Sequence, residues 1–272
     1  MILSDIEKGI KAKIEAIGTR IKDWDINIYR GVLTGYNEAF IIDKKKKEQL
    51  IAEDPKSAEI IRPILRGRDI KRYTYDFADL WLINTHNGIK EKGLKPIDIN
   101  DYPAIKQHLD KYYTQLVKRT DKGDTPYNLR NCAYMEDFNS QKIIWIELVD
   151  KGRFALDVSD KYLTLNGTFI MIGEDLEFIC SILNNPVSSW HFNTFCISSG
   201  VGTNQWRELY VKELYIPNIP KNEQQPLLDI FNELMILEKT KQNIYHKIKE
   251  MNNMVYSIFK LTPEEIAFID AQ

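Results

Sequence analysis

Five cations and one carboxylate crowd into residues 61–73: Arg62, Arg66, Arg68, Lys71 and Arg72 around Asp69. Arginine dominates this group, and its planar fork suits bidentate contact with a phosphate or with the major-groove edge of guanine. A second group falls in a stretch rich in turn formers: Lys118, Arg119, Lys122, Asn128, Arg130 and Asn131. Asparagine is the side chain that reads adenine bidentately, so Asn128 and Asn131 are candidate base readers, with Tyr127 available for stacking or backbone contact. A third group, 198–207, is a polar run closed by Trp206 and Arg207. Each group has a plainer reading. Arg66 and Asp69 can form a framework ion pair, and 198–207 can be a simple connector.

The chain has 272 residues and a formal net charge of -2. That near-neutral balance excludes a polybasic coat protein but leaves room for one cationic face, and only the contacting face of a DNA-binding protein must be positive. Its length gives one large domain or two modest ones a proper core. Cys132, Cys180 and Cys196 form no Cys-x-x-Cys pair, which points to reduced thiols in a cytoplasmic protein. The N-terminus has no basic-plus-apolar leader, and no apolar run is long enough for a membrane span.

Catalytic signatures do not emerge. Amino methylation needs a Gly-rich strand–turn–helix and an Asn/Asp-Pro-Pro-aromatic loop, and Asn185-Pro186-Val187 lacks the second proline and the aromatic residue. His86, His108, His191 and His246 are scattered without metal-ligand spacing; His191, between Trp190 and Phe192, reads as a core residue. A diverged magnesium-dependent nuclease using Glu147, Asp157 and a nearby lysine stays open as an alternative, with Asp160 close by in sequence. So does a protein-interaction subunit acting through the C-terminal helix.

The elements that must position these groups are a mixed set. Ser4 and Glu7 stand at capping-box spacing before a helix over 3–18, which Gly18 ends. Residues 27–33 and 38–43 read as two strands around a Thr34-Gly35-Tyr36-Asn37 turn, with Gly35 and Asn37 supplying turn chemistry. Further strands are expected at 79–84, 142–148, 153–157, 168–172 and 208–216. Pro103 opens a helix carrying Ile105, Leu109, Tyr112, Tyr113 and Leu116. Two helices flank an Asn184-Asn185-Pro186 break. Residues 224–259 read as one long amphipathic helix, with Lys241 where an apolar seam residue would fall. Thr262 caps a short last helix. The expected fold is mixed α/β (α+β): small antiparallel or mixed sheets ringed by helices, with the long helix at the end.

Several landmarks occur in order. They begin with Arg30-Gly31, Thr34-Gly35, Asn37 and Ala39-Phe40-Ile41, then Leu65-Arg66-Gly67-Arg68-Asp69-Ile70, then Tyr102-Pro103-Ala104-Ile105-Lys106 with Leu116 and Arg119. Lys142-Ile143-Ile144-Trp145, Leu183-Asn184 before Trp190, Leu214 with Ile216-Pro217, and the Leu261–Ile266 tail complete the series. Running from about 28 to 270, it resembles the TaqI-like C-terminal specificity domain of adenine-specific methyltransferases and type II restriction–modification enzymes. The resemblance implies that this chain recognises double-stranded DNA and has no catalytic capacity or cofactor of its own. A methyltransferase region using S-adenosylmethionine, and often a nuclease, would lie in a part of the parent protein not included here. On this reading 1–27 is a helical connector, 28–222 the target-recognition domain, and 223–272 a docking element against the catalytic partner. The shared residues are mostly framework, because base-reading positions differ between members.

Overall fold

The computed structural model describes residues 3–159, 161–197 and 202–272. The strands are β1 (Gly18–Arg20), β2 (Ile26–Arg30), β3 (Ile41–Asp43), β4 (Ile61–Leu65), β5 (Leu80–Ile83), β6 (Lys142–Ile146), β7 (Leu148–Val149), β8 (Phe154–Asp157), β9 (Leu163–Thr164), β10 (Thr168–Gly173), β11 (Asn204–Gln205) and β12 (Tyr215–Pro217). The helices are α1 (Asp5–Ile17), α2 (Asn37–Phe40), α3 (Lys44–Glu53), α4 (Pro103–Asp110), α5 (Tyr113–Lys118), α6 (Leu176–Leu183), α7 (Pro186–Asn193), α8 (Glu208–Val211), α9 (Lys221–Lys239), α10 (Tyr245–Ile258) and α11 (Pro263–Asp270). The fold is mixed α+β, with small sheets among helices.

A four-stranded antiparallel sheet in the order β2-β10-β6-β8 divides the molecule into two cores. Strand side chains alternate between faces, and the alternation is visible residue by residue. Ile143, Trp145, Phe154, Leu156, Phe169 and Met171 enter one core with α1, α6, α7 and the C-terminal helices. Ile144, Ala155 and Ile170 enter the other with the second sheet and α3 to α5. Burial on both faces explains why β6 reads as a near-continuous apolar run. The second sheet, β3-β5-β4-β9, is antiparallel except for its β4–β9 pair.

The helix caps follow their local chemistry. The Ser4 hydroxyl accepts from the Glu7 N–H while Glu7 accepts from the Ser4 N–H. Thr262 and Glu265 repeat the arrangement, and Glu265 also pairs with Lys13 at 2.6 Å, fastening α11 to α1. His191 is 4% exposed; burial, with Lys11 and Arg20 nearby, pushes its pKa down to about 4, so it is neutral at pH 7.

Four expectations need correction. Residues 27–43 do not form a hairpin. β2 pairs with β10 in the central sheet, residues 37–40 are helical, and β3 pairs with β5 in the second sheet. Local alternation cannot tell a hairpin from two strands that find distant partners. The segment 208–216 is the short helix α8 followed by β12, not one strand. The long C-terminal helix is two packed helices, α9 and α10. Lys241 takes a left-handed φ of 54° at the break, and the Thr240 hydroxyl donates to the Ile236 and Leu237 carbonyls. The helix opened by Pro103 likewise splits into α4 and α5.

Candidate nucleic-acid interface

Residues 30–38 follow β2 along one end of the central sheet and touch segments that are remote in sequence. Arg30 ends β2. Its Nη2 lies 3.4 Å from both Glu147 carboxylate oxygens, and its guanidinium sits over the Phe169 ring at 5.2 Å. Arg207 Nε donates to the same carboxylate at 2.8 Å. The Glu147 N–H in turn donates to the Gly167 carbonyl at 2.9 Å. One carboxylate therefore collects two arginines where β6 ends and β10 begins. Both arginines are nearly half exposed, at 48% and 46%, while Glu147 is 14% exposed. Charge beyond the internal pair therefore faces solvent.

Gly31 lies where the two sheets' backbones meet. A Cβ there would stand 2.1 Å from the Leu165 carbonyl oxygen, so only glycine permits the approach. Val32 then donates to Thr164 at 2.6 Å and accepts from the Asn166 N–H at 2.9 Å. The Thr34 hydroxyl donates to Asn37 Oδ1 at 2.5 Å, which shapes the entry into α2. Gly35 has φ 69° and packs against Asp121. Arg119 lies beneath this turn, 7% exposed, donating to the carbonyls of Thr34, Asp121, Pro126 and Asn128. Burial lowers its pKa to about 10, which still leaves it charged at pH 7. Arg119 is thus a clamp between the two segments.

The loop after β4 is built around an internal lock. Arg66 and Asp69 form a two-bond ion pair at 3.0 and 2.7 Å, and Asp69 also accepts from the Arg66 N–H at 2.8 Å. The side-chain bond to Asp69 raises the Arg66 pKa further. Locked in this way, the 3-10 turn Gly67–Asp69 holds Arg68 exposed, with no hydrogen-bond or ion-pair partner among the described residues. Between this loop and residues 32–38 lies an open groove of about 870 Å³, bordered also by Leu165 and Asn166.

The cationic run 62–72 therefore does not form one patch. Arg62 is partly buried, donating to Asn139 Oδ1 at 2.8 Å and the Lys161 carbonyl at 3.1 Å. Lys71 pairs loosely with Asp76 at 3.7 Å. Arg72 donates to the Asn184 carbonyl and to Asn252 Oδ1, tying α10 to the body. Lys71 and Arg72 border a different cavity beside Trp190.

In the second group, Lys118 is exposed and unpaired among the described residues. Lys122 Nζ donates to the Val117 carbonyl at 2.6 Å, and Arg130 pairs with Asp121 at 3.2 Å. Asn128 is 1% exposed, accepting from the Thr125 hydroxyl and donating to the Ile97 carbonyl. Asn131 accepts from the Asn87 amide, and the Tyr127 hydroxyl donates to Asp110. Burial and the neighbouring Cys132 push the Tyr134 pKa up to about 12, against the pull of Arg30 and Arg130. The stacked Tyr29–Tyr134 pair therefore lies near both arginines. In the third group residues 198–201 fall outside the described residues, and Arg207 is placed as above.

Two residues of this face escaped the sequence reading. Arg30 was visible only as the start of a framework landmark. Asn166-Gly167 is a turn dipeptide between β9 and β10, a signal that could have marked an exposed asparagine. Glu147 and Asp157, the alternative nuclease pair, are engaged separately. Glu147 holds the two arginines, and Asp157 is fully buried against Lys142. Among the described residues no group of three His, Cys, Asp or Glu side chains could hold a metal ion, and no helix is long and apolar enough to cross a membrane.

Comparison with known proteins bears on this geometry. The family model of the TaqI-like C-terminal specificity domain matches residues 62–220. The chain is similar in fold to the type IIL restriction-modification enzyme MmeI, solved in complex with DNA: TM-score 0.64, 13% identity, covering 93% of this chain and 36% of that one. It is also similar to the type IIG restriction endonuclease BpuSI: TM-score 0.54, 15% identity, covering 96% and 34%. It thus spans only about a third of either solved chain. No curated protein matches it. The family match takes in more than half of the residues, and the chain belongs to the TaqI-like C-terminal specificity domains.

Proposed function

We propose that this chain recognises double-stranded DNA for a restriction–modification enzyme, and that base methylation or cleavage is performed by another region of the parent protein. The observation that carries the reading is the meeting of Arg30 and Arg207 on Glu147 at one end of the central sheet, where the turn before Arg68 also packs on Ile146 and Thr168, in a chain of the specificity-domain family. Phosphate contacts fix register, and base contacts select sequence. Arg30 and Arg207 suit phosphate contact, because Glu147 aligns both forks while leaving them half exposed. Arg66, Arg119 and Asn128 act as framework, since the side-chain bonds they make are internal: Arg66 to Asp69, Arg119 to four carbonyls, and Asn128 to Thr125 and Ile97. The methyl donor, S-adenosylmethionine, belongs on this reading to the catalytic region, and the working compartment is the cytoplasm. The likeness to MmeI, solved with DNA, supports the assignment.

The test is fluorescence anisotropy with a duplex of about 30 base pairs. Two arginine–phosphate contacts, by Arg30 and Arg207, give a log–log salt slope of about -1.8, so affinity should fall roughly 12-fold from about 50 to about 200 mM salt. Absence of binding at the lower salt, by a chain whose thermal melt shows it folded, would overturn the proposal.

A further inference from the structure

The geometry points to a division of labour within this face: the groove between residues 32–38 and the 66–69 loop reads base edges, with Arg68 and Asn166 as the sequence-determining side chains. This rests on the DNA-binding reading above and deepens it.

The first argument is charge. The corner around Glu147 presents arginines. The groove beside it is mixed: Arg68 is positive, Glu38 is negative, and Asn37 and Asn166 are neutral, all four exposed. A carboxylate repels phosphate but can accept from the amino group of cytosine, and amides pair with adenine. Alternating donors and acceptors match base edges, not a uniformly anionic backbone.

The second argument is availability. A side chain can read a base only with hydrogen-bonding capacity that the fold has not consumed. Arg66 is held in a two-bond pair by Asp69, and Arg119 and Asn128 are buried on internal partners. Arg68 and the Asn166 side chain have no partner among the described residues.

The third argument is rigidity. Readers must be held in place by their surroundings. Arg68 sits in the turn that the Arg66–Asp69 pair locks through three hydrogen bonds. Asn166 is the second residue of a tight turn closed by the Thr168 N–H to the Leu165 carbonyl, with Gly167 at φ 93°. Val32 pins that turn from one side and Glu147 from the other. Gly67 meanwhile packs within reach of Ile146 and Thr168, so both turns rest on the same sheet end. Two fixed tips, one carrying a guanidinium and one an amide, fit the pairings of arginine with guanine and asparagine with adenine.

The experiment is selection from a randomised duplex library followed by sequencing, for the unaltered chain and for Arg68→Ala, Arg68→Lys and Asn166→Ala. The unaltered chain should enrich a motif. Arg68→Ala should flatten the preference at one G·C position, removing roughly 10- to 100-fold discrimination there. Its low-salt affinity for random duplex should stay within about threefold, because non-specific binding is carried by the phosphate contacts. Arg68→Lys should keep that affinity without restoring the preference, because lysine lacks the fork. Asn166→Ala should flatten an A·T position instead. Variants that enrich the unaltered motif would overturn the assignment. Unaltered chain that binds duplex but enriches no motif would overturn base reading and leave DNA docking standing. Failure to bind any duplex would overturn both.

Discussion

Replacing Gly31 by alanine is expected to destabilise the chain by on the order of 4 kcal/mol, the range of exceptional single substitutions. The added Cβ would lie 2.1 Å from the Leu165 oxygen, 2.5 Å from its carbonyl carbon and 2.8 Å from Thr168 Oγ1. Two of these are backbone atoms, which cannot swing aside. Relief requires opening the seam in which Gly31 donates to Thr168 at 3.0 Å and Val32 to Thr164 at 2.6 Å. That seam joins the two sheets and seats Asn166, so DNA affinity should fall with stability. Gly167→Ala is the control. Its Cβ would meet nothing within 4 Å, so only the left-handed φ opposes it, at about 1–2 kcal/mol. Urea denaturation should rank Gly31→Ala well below Gly167→Ala. The reverse order would show that the seam is not rigid.

The second large effect is expected at Lys142 and Asp157. Both side chains are fully buried, 2.8 Å apart. The Lys142 ammonium also donates to the Phe138 and Ser140 carbonyls at 2.8 and 3.2 Å. Asp157 accepts from the Tyr75 hydroxyl and from both the N–H and hydroxyl of Ser159. Removing one partner leaves an uncompensated buried charge, so Asp157→Ala should destabilise by about 3–5 kcal/mol. Replacing both partners by apolar residues should destabilise less than Asp157→Ala alone. Burial pushes the Asp157 carboxyl up, but Lys142 and Ser159 together hold it below the ordinary aspartate value. A depressed carboxylate contributes stability that is present above its unfolded pKa of about 3.9 and is lost as pH falls through the folded value. Urea midpoints of Asp157→Ala and the unaltered chain should therefore converge below about pH 4. A constant gap across that range would contradict the ion-pair account.

What the sequence disclosed, and what it withheld, follows from the range of each interaction. Ser4 with Glu7 and Thr262 with Glu265 act over three residues, and both caps stand where their spacing places them. The apolar strands at 142–146 and 168–173 were legible because they are buried on both faces. The 29–43 stretch misled because β2 takes its partner from β10 and β3 from β5, and no local pattern carries that choice. Among the candidate cations, only the Arg66–Asp69 lock was visible at short range. Arg72 is consumed by Asn184 and Asn252, and Arg119 by a set of carbonyls that includes Thr34. Such partners are remote in sequence, so a linear cluster of charge could not be sorted into framework and free side chains. Arg30 and Arg207 meet only because Glu147 sits between them in space.

The proposed DNA binding rests on where the charge lies, not on net charge. Its most direct test compares two triple variants that remove the same charge. One replaces Arg30, Arg68 and Arg207 by glutamine. The other replaces Lys239, Lys241 and Lys249, exposed residues on and between α9 and α10. Anisotropy with one duplex at about 50 mM salt, on samples with matched thermal melts, reads both. The face variant should lose roughly 100-fold in affinity and flatten the salt slope by about 1.8, while the helical variant stays within about threefold. Equal losses in the two, or a larger loss in the helical variant, would contradict the account.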